Sequence, residues 1–186
     1  MDNKQIAKHA LGFIGGKPTV NRYSNSGQDK SVDIMCCQNS DFKEIKVYSS
    51  IGLWELDGGV KHDDKSVRIE LIGVAPNDSD YMGNIIASSV FEILDNRTFA
   101  YGQIIPNVVN AYVSGTELKH AVLLAPVYWD AYTALGENNL SVSWLMLVPI
   151  SDKEMEYIHI NGIDAFENKL ASISFDIIDF RRRSVV

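Results

Sequence analysis

Residues 150–170 read ISDKEMEYIHINGIDAFENKL. Asp152, Glu154, Glu156, Asp164 and Glu167 stand here beside His159, the raw material of an acid–base or metal site. The spacing is also that of two capped helices. With Ser151 as N-cap, Glu154 falls at the third helical position. In this S-x-x-E pattern each side chain satisfies a backbone N–H of the first turn. Ile150 and Met155 then flank the cap as a hydrophobic staple. Asp152 and Glu154 lie at the positive end of the helix dipole, and His159 lies near its negative end. Gly162 is a natural stop. A second helix is expected from Asp164, with Glu167 at its third position and Phe166, Leu170 and Ile173 along its inner face. Only Glu156 is left over, and an exposed helical glutamate needs no special reason. Helix chemistry therefore explains the cluster without a substrate.

Outward from this helix pair, HAVLLAPVYW (120–129) and SVSWLMLVPI (141–150) are nearly continuous apolar runs, which predicts central strands. SVRIELIGV (66–74) alternates, so Val67, Ile69 and Leu71 are expected to face inward and Ser66, Arg68 and Glu70 outward. SVDIMCC (31–37) and KEIKVYSS (43–50) read as further strands, and ISFDIIDF (173–180) as a last extended segment. In YMGNIIASSVFEILDNR (81–97) the period switches, and Met82, Ile85, Ile86, Val90, Ile93 and Leu94 form one helical face. Near the start, Ile6, Ala10 and Phe13 have the spacing of a short docking helix. WELDGGVKHDDKS (54–66) carries a DGG turn and reads as an exposed acidic loop. Strand clusters followed by helices predict an α+β fold, with a mostly antiparallel or mixed central sheet flanked by helices. One domain spanning residues 1–186 is expected.

The 186 residues are 46% hydrophobic and 22% charged, enough apolar matter for a sizeable core. A net charge of −7 argues against a protein that tracks nucleic-acid phosphates; by itself it fits a plain acidic cytosolic protein kept soluble by its charge, and it also suits an encounter with a basic partner. The opening MDNKQIAKHALGFIGG has no signal-peptide pattern, and no apolar run reaches the length of a membrane span. Cys36 and Cys37 are adjacent and form neither a disulfide framework nor a metal knuckle. A cytoplasmic location is expected.

Motifs with chemical potential fail on spacing. GFIGGKPT (12–19) has Leu11 and Pro18 where a phosphate-binding loop needs glycine and serine or threonine. Two Glu-x-x-His pairs, Glu117/His120 and Glu156/His159, repeat the ligand spacing of di-iron helices. The first lies in a strand-like run, where positions i and i+3 point to opposite faces. Four scattered histidines and no nucleophile elbow leave no triad. The arginines at 181–183 read as a solvated terminal cluster or as partners for carboxylates. No catalytic, cofactor or metal residues are assigned. A metal-dependent or acid–base enzyme using Glu117, His120, Glu156 and His159 is the alternative from another class.

LVPISDKEMEYIHINGIDAFENKL (147–170) resembles the signature of the Suppressor of fused-like (SUFU-like) domain, a strand ending in Pro-Ile-Ser followed by an acidic helix start, a glycine and a second helix. VYSSIGL (47–53), LLAPVYWD (123–130) and DFRRRSVV (179–186, with Arg182, Ser184 and Val185) match in the same order and span most of the chain. The resemblance implies an α+β domain without catalytic residues or cofactor, whose eukaryotic members bind and sequester a protein. It also implies kinship with short bacterial members regarded as immunity proteins or antitoxins of polymorphic toxin systems, some of them facing nuclease toxins. The expected function is then direct binding of a cognate toxin, with no direct contact to nucleic acid or membrane. A regulatory binding module for another cytosolic protein is a further alternative. Candidate contacts are exposed acids and aromatics in loops: Asp57, Asp63 and Asp64, and Trp129, Asp130 and Tyr132, with Trp129 equally suited to a core position.

Overall fold

The apolar runs become neighbours in one mixed sheet. The computed structural model describes residues 1–38, 44–127, 129, 134–172 and 176–186. Its elements are α1 (Asn3–Ile14), β1 (Lys17–Ser24), β2 (Ser31–Gln38), β3 (Ile45–Ile51), β4 (Lys61–His62), β5 (Lys65–Pro76), α2 (Tyr81–Asn96), β6 (Ile104–Ile105), β7 (Leu118–Leu124), β8 (Leu135–Glu137), β9 (Leu140–Ser151), α3 (Asp152–Asn161) and α4 (Ile163–Ala171). The sheet runs β1-β2-β3-β5-β9-β7-β6, with β4 added to β5 and β8 to β9. All pairs are antiparallel except β5–β9, which runs parallel from Ser66↔Leu140 to Ile72↔Met146. A parallel pair needs a crossover, and the chain between Pro76 and Leu140 supplies it with α2 packed on the sheet.

Alternation along the strands builds two cores, one per face. Ile69, Leu71 and Ala75 of β5 meet Met82, Ile85, Ile86 and Val90 of α2. At Gly73 a Cβ would stand 2.6 Å from the Met82 sulfur, so glycine lets α2 approach β5 closely. On the other face Ile72, Val74, Val47, Trp144 and Met146 pack under Ile6, Ala10 and Ile14 of α1, with Ile158 of α3 and Phe166 and Leu170 of α4. Fully burying a side chain such as Phe166 contributes about 1.5–3 kcal/mol, more than a typical helix cap, so packing dominates this layer. β1 is the edge strand and most of its residues are exposed, with Lys17, Pro18 and Arg22 along its open edge.

The helix pair forms as its caps predict. Ser151 Oγ accepts the Glu154 N–H at 3.2 Å, and Glu154 Oε2 accepts the Ser151 N–H at 2.7 Å. Gly162, at φ 84°, closes α3 through its N–H on the Ile158 carbonyl.

Four expectations need correction. Glu70 is fully buried, not outward, because β5 is a central strand with helices over both faces. α4 starts at Ile163 after Gly162, so Asp164 lies within the first turn and does not cap it. Asp176–Phe180 forms turns rather than a strand, with Ile177 and Phe180 as its buried anchors. The segment expected as a plain loop holds a 3₁₀ turn at Leu53–Glu55 and strand β4. Ile173 lies outside the described residues.

Candidate partner-binding surface

The expected acidic contacts sit at one end of the sheet. His62 and Lys65 pair across a two-residue hairpin turn, in which Asp63 (φ 47°) and Asp64 (φ 61°) take the left-handed conformation that aspartate tolerates. Both side chains project into solvent; Asp63 is 87% exposed, with His62 Nε2 3.5 Å away. Asp57 is tied down instead. Its Oδ1 accepts the Gly59 N–H at 2.9 Å and Arg68 Nη1 at 2.7 Å, and these bonds hold the carboxyl below the usual carboxylate range. The neighbouring β8–β9 turn joins this end through the Ser66 N–H on the Asn139 carbonyl, and Glu137 pairs with the N-terminal amine at 2.8 Å.

A buried carboxylate positions the start of the acidic segment. Glu70 accepts the Ser50 hydroxyl, the Gly52 N–H at 2.7 Å and the Trp54 N–H at 3.2 Å. Gly52 sits at φ 115°, a region that favours glycine, so the chain can turn its N–H groups onto one acid. Burial raises the Glu70 carboxyl to about 7 against the pull of those donors. The signal for this in the sequence was a glutamate inside an apolar run, which a strand covered on both faces must satisfy internally.

Trp129 is half-buried and is the outer ring of an aromatic series leading to the core. It meets Phe13 edge-to-face at 5.7 Å, and Phe13 and His9 lie against fully buried Trp144 at 5.5 and 5.3 Å. One side of the ring thus faces Phe13 of α1, while part of its surface stays exposed. Asp130 and Tyr132 lie outside the described residues.

The residues of the enzymatic alternative do not converge. His120 is buried on β7, where Nδ1 accepts the Asn107 N–H at 2.9 Å and Nε2 lies 2.8 Å from Asp152 Oδ1. Asp152 also pairs with Lys119, and these two bonds lower its carboxyl. Glu117 is exposed and reaches the Ser184 N–H at 3.4 Å, while Glu156 and His159 are exposed on α3. Among the described residues no three His, Cys, Asp or Glu are grouped to hold a metal ion. A groove of about 1080 Å³ crosses β1–β3 beside Thr19, Cys36 and Tyr48, but burial raises the Cys36 thiol, the reverse of what a nucleophile needs.

The arginine cluster holds one structural residue. Arg182 donates to Glu154 at 2.6 Å and to the Pro149 carbonyl at 2.8 Å, and the Val185 N–H reaches the same carboxylate at 3.0 Å. Two separated motifs, the capped helix and the closing DFRRRSVV, therefore meet at one buried carboxylate.

Residues 28–183 match the model of the family described as Suppressor of fused protein (SUFU). Immunity protein YqcF of Bacillus subtilis (strain 168) is 34% identical over 187 residues, covering all of this chain and 97% of that protein. Among solved structures, a SUFU homologue from Neisseria gonorrhoeae FA 1090 aligns with TM-score 0.77 at 16% identity, covering 99% of this chain and 96% of the other. A chain of a Sufu–Fu complex aligns at 0.66 with 13% identity, over 99% and 92% of the two chains. Drosophila Suppressor of Fused aligns at 0.64 with 13% identity over 97% of this chain, which corresponds to 50% of that protein. No helix among the described residues is long and apolar enough to cross a membrane.

Proposed function

The chain belongs to the Suppressor of fused protein (SUFU) family, and from that premise we propose that it is an immunity protein that binds a cognate toxin protein and blocks it. The observation that carries this reading is the full-length 34% identity to an immunity protein. The proposed partner is a basic nuclease domain met in the cytoplasm. Its cationic substrate groove would be attracted by a chain of net charge −7 and occluded by it. The proposed contacts are Asp63 and Asp64 on the β4–β5 turn, Asp57 behind them and Trp129 beside α1, together with Asp130 and Tyr132. Binding alone suffices for this role, and no reaction is assigned to Glu117, His120, Glu156 or His159.

The test is co-expression with the toxin candidate encoded beside this chain's gene. Wild type is expected to restore growth and to co-purify with that toxin. The double variant Asp63→Lys, Asp64→Lys should slow association about tenfold at low ionic strength, with the difference shrinking as salt rises. If wild type neither binds the toxin nor restores growth, the immunity reading fails. Equal association rates for wild type and variant would remove the acidic hairpin from the interface.

A further inference from the structure

Glu70 lies on the face of β5 that α1 covers, alternating with Ile72 and Val74 of that core and paired with Trp144 across to β9. Its side chain is fully buried, and its two oxygens have separate tasks. Oε1 accepts the Gly52 N–H at 2.7 Å and the Trp54 N–H at 3.2 Å. Oε2 meets the Ser50 hydroxyl, whose oxygen also accepts the Leu71 N–H at 2.8 Å. A proton on Oε2, shared with Ser50 Oγ, therefore leaves Oε1 with both turn donors. In that state the buried site holds no charge.

Once ionised, the same carboxyl carries a full charge with no cation beside it. Strand β9 has no charged residue. Lys46 of β3 is paired with Asp80, and Arg68 of β5 with Asp57. Lys65 opens β5, Glu55 lies in the turn, and Lys4, Lys8 and His9 lie on α1. Among the described residues none of these forms an ion pair with Glu70. Water is the remaining relief for such a charge, and the turn is the wall that reaches the surface. Gly52 and Trp54 are half-buried, Glu55 is exposed, and Gly52 at φ 115° is a ready hinge. The Trp54 indole N–H ties the turn to exposed Asn3 Oδ1 of α1 at 2.7 Å.

We infer that Glu70 is a proton-dependent latch: with its proton it holds the Gly52–Trp54 turn shut over itself, and on losing the proton it releases the turn to admit water. Proton linkage sets the direction. Burial raises the carboxyl from 4.5 to about 7 in the closed form. A hydrated carboxyl returns toward its ordinary value, so the open turn binds fewer protons. Opening is then favoured as pH rises from 4.5 to about 7 and levels off above it. A turn that broke its bonds without hydrating Glu70 would behave in the opposite way, because an ionised acceptor strengthens N–H bonds. Release slackens the tie to the start of α1 and the chain that enters the acidic segment at Asp57. The latch is a property of the free chain and does not depend on the immunity reading.

Amide hydrogen exchange of the full chain, followed by NMR and corrected for the intrinsic pH dependence of exchange, tests it. The opening constants at Gly52 and Trp54 should rise about tenfold or more between about pH 5 and 8. They should also be indifferent to low urea, whereas amides of β9 exchange through larger openings that urea promotes. Glu70→Gln, neutral at every pH with an oxygen still available to the turn, should give a flat profile. Opening constants that fall or stay level with pH in wild type overturn the latch. So does an equal rise in folded Glu70→Gln, or a turn whose amides open only together with β9. If Glu70→Gln does not fold, the carboxyl carbon of Glu70 in wild type decides. A midpoint that coincides with that of turn opening upholds the latch, and a midpoint at the ordinary carboxylate value overturns it.

Discussion

Glu70 and Glu154 are both fully buried carboxylates, and the fold satisfies them by different means. Glu154 accepts from the Arg182 guanidinium at 2.6 and 3.3 Å and from the N–H groups of Ser151 and Val185. Among the described residues Glu70 receives only neutral donors: one hydroxyl and the N–H groups of the Gly52–Trp54 turn. The first arrangement ties two distant parts of the chain, the start of α3 and the C-terminal segment. The second shapes a local turn that leads into the acidic hairpin. Neutral donors offset only part of the desolvation of Glu70, so burial raises its carboxyl to about 7.

Arg182→Met leaves Glu154 buried without its cation and should destabilise the protein by about 3–5 kcal/mol in urea titration. Adding Glu154→Gln, which keeps the cap, should recover at least half of that loss, and no recovery would show that Arg182 acts through packing alone.

The next effect is a pH slope. The Glu70 carboxyl is raised from its ordinary value of 4.5 to about 7 in the folded state. The folded protein therefore holds the proton more tightly than the unfolded chain. Stability from this group is greatest below pH 4.5, falls as pH rises through the window up to about 7, and is level above it. At about 1.4 kcal/mol per pH unit the change is on the order of 3 kcal/mol. Glu70→Gln removes the titration, so wild type should lose about that much stability relative to the variant between pH 4.5 and 8. Parallel pH profiles would show that the Ser50 and turn donors keep Glu70 ionised throughout.

The smallest expected effect is Ser151→Ala, which removes the cap but leaves Arg182 on Glu154. A loss of about 1 kcal/mol is expected. A loss as large as that of Arg182→Met would mean that the hydroxyl, not the guanidinium, organises the node.

Local chemistry was legible in the residues. The S-x-x-E cap, the Gly162 stop, the α2 stripe and the strands β2, β3, β5, β7 and β9 follow from spacing within one turn or one pleat. The family signatures were legible for the same reason, being turn, cap and core residues in chain order. What failed did so where a neighbour decided. Alternation in SVRIELIGV correctly separated two faces, but could not say that helices would cover both, and so it sent Glu70 to solvent. The arginine run could not show which of three guanidiniums would be taken inside. Trp129 was equally consistent with core and surface because its environment is made by α1, more than a hundred residues earlier in the chain.

Spacing along the chain was enough for most of the periodic elements, both ends of α3, the α+β class and the kinship, since these signals come from residues a few positions apart. Tertiary packing, by contrast, made β5 central, brought Arg182 to Glu154 and set His120 against Asp152. Those outcomes depend on packing between segments far apart in the chain, where a residue's own neighbours in sequence carry no information about what will cover it.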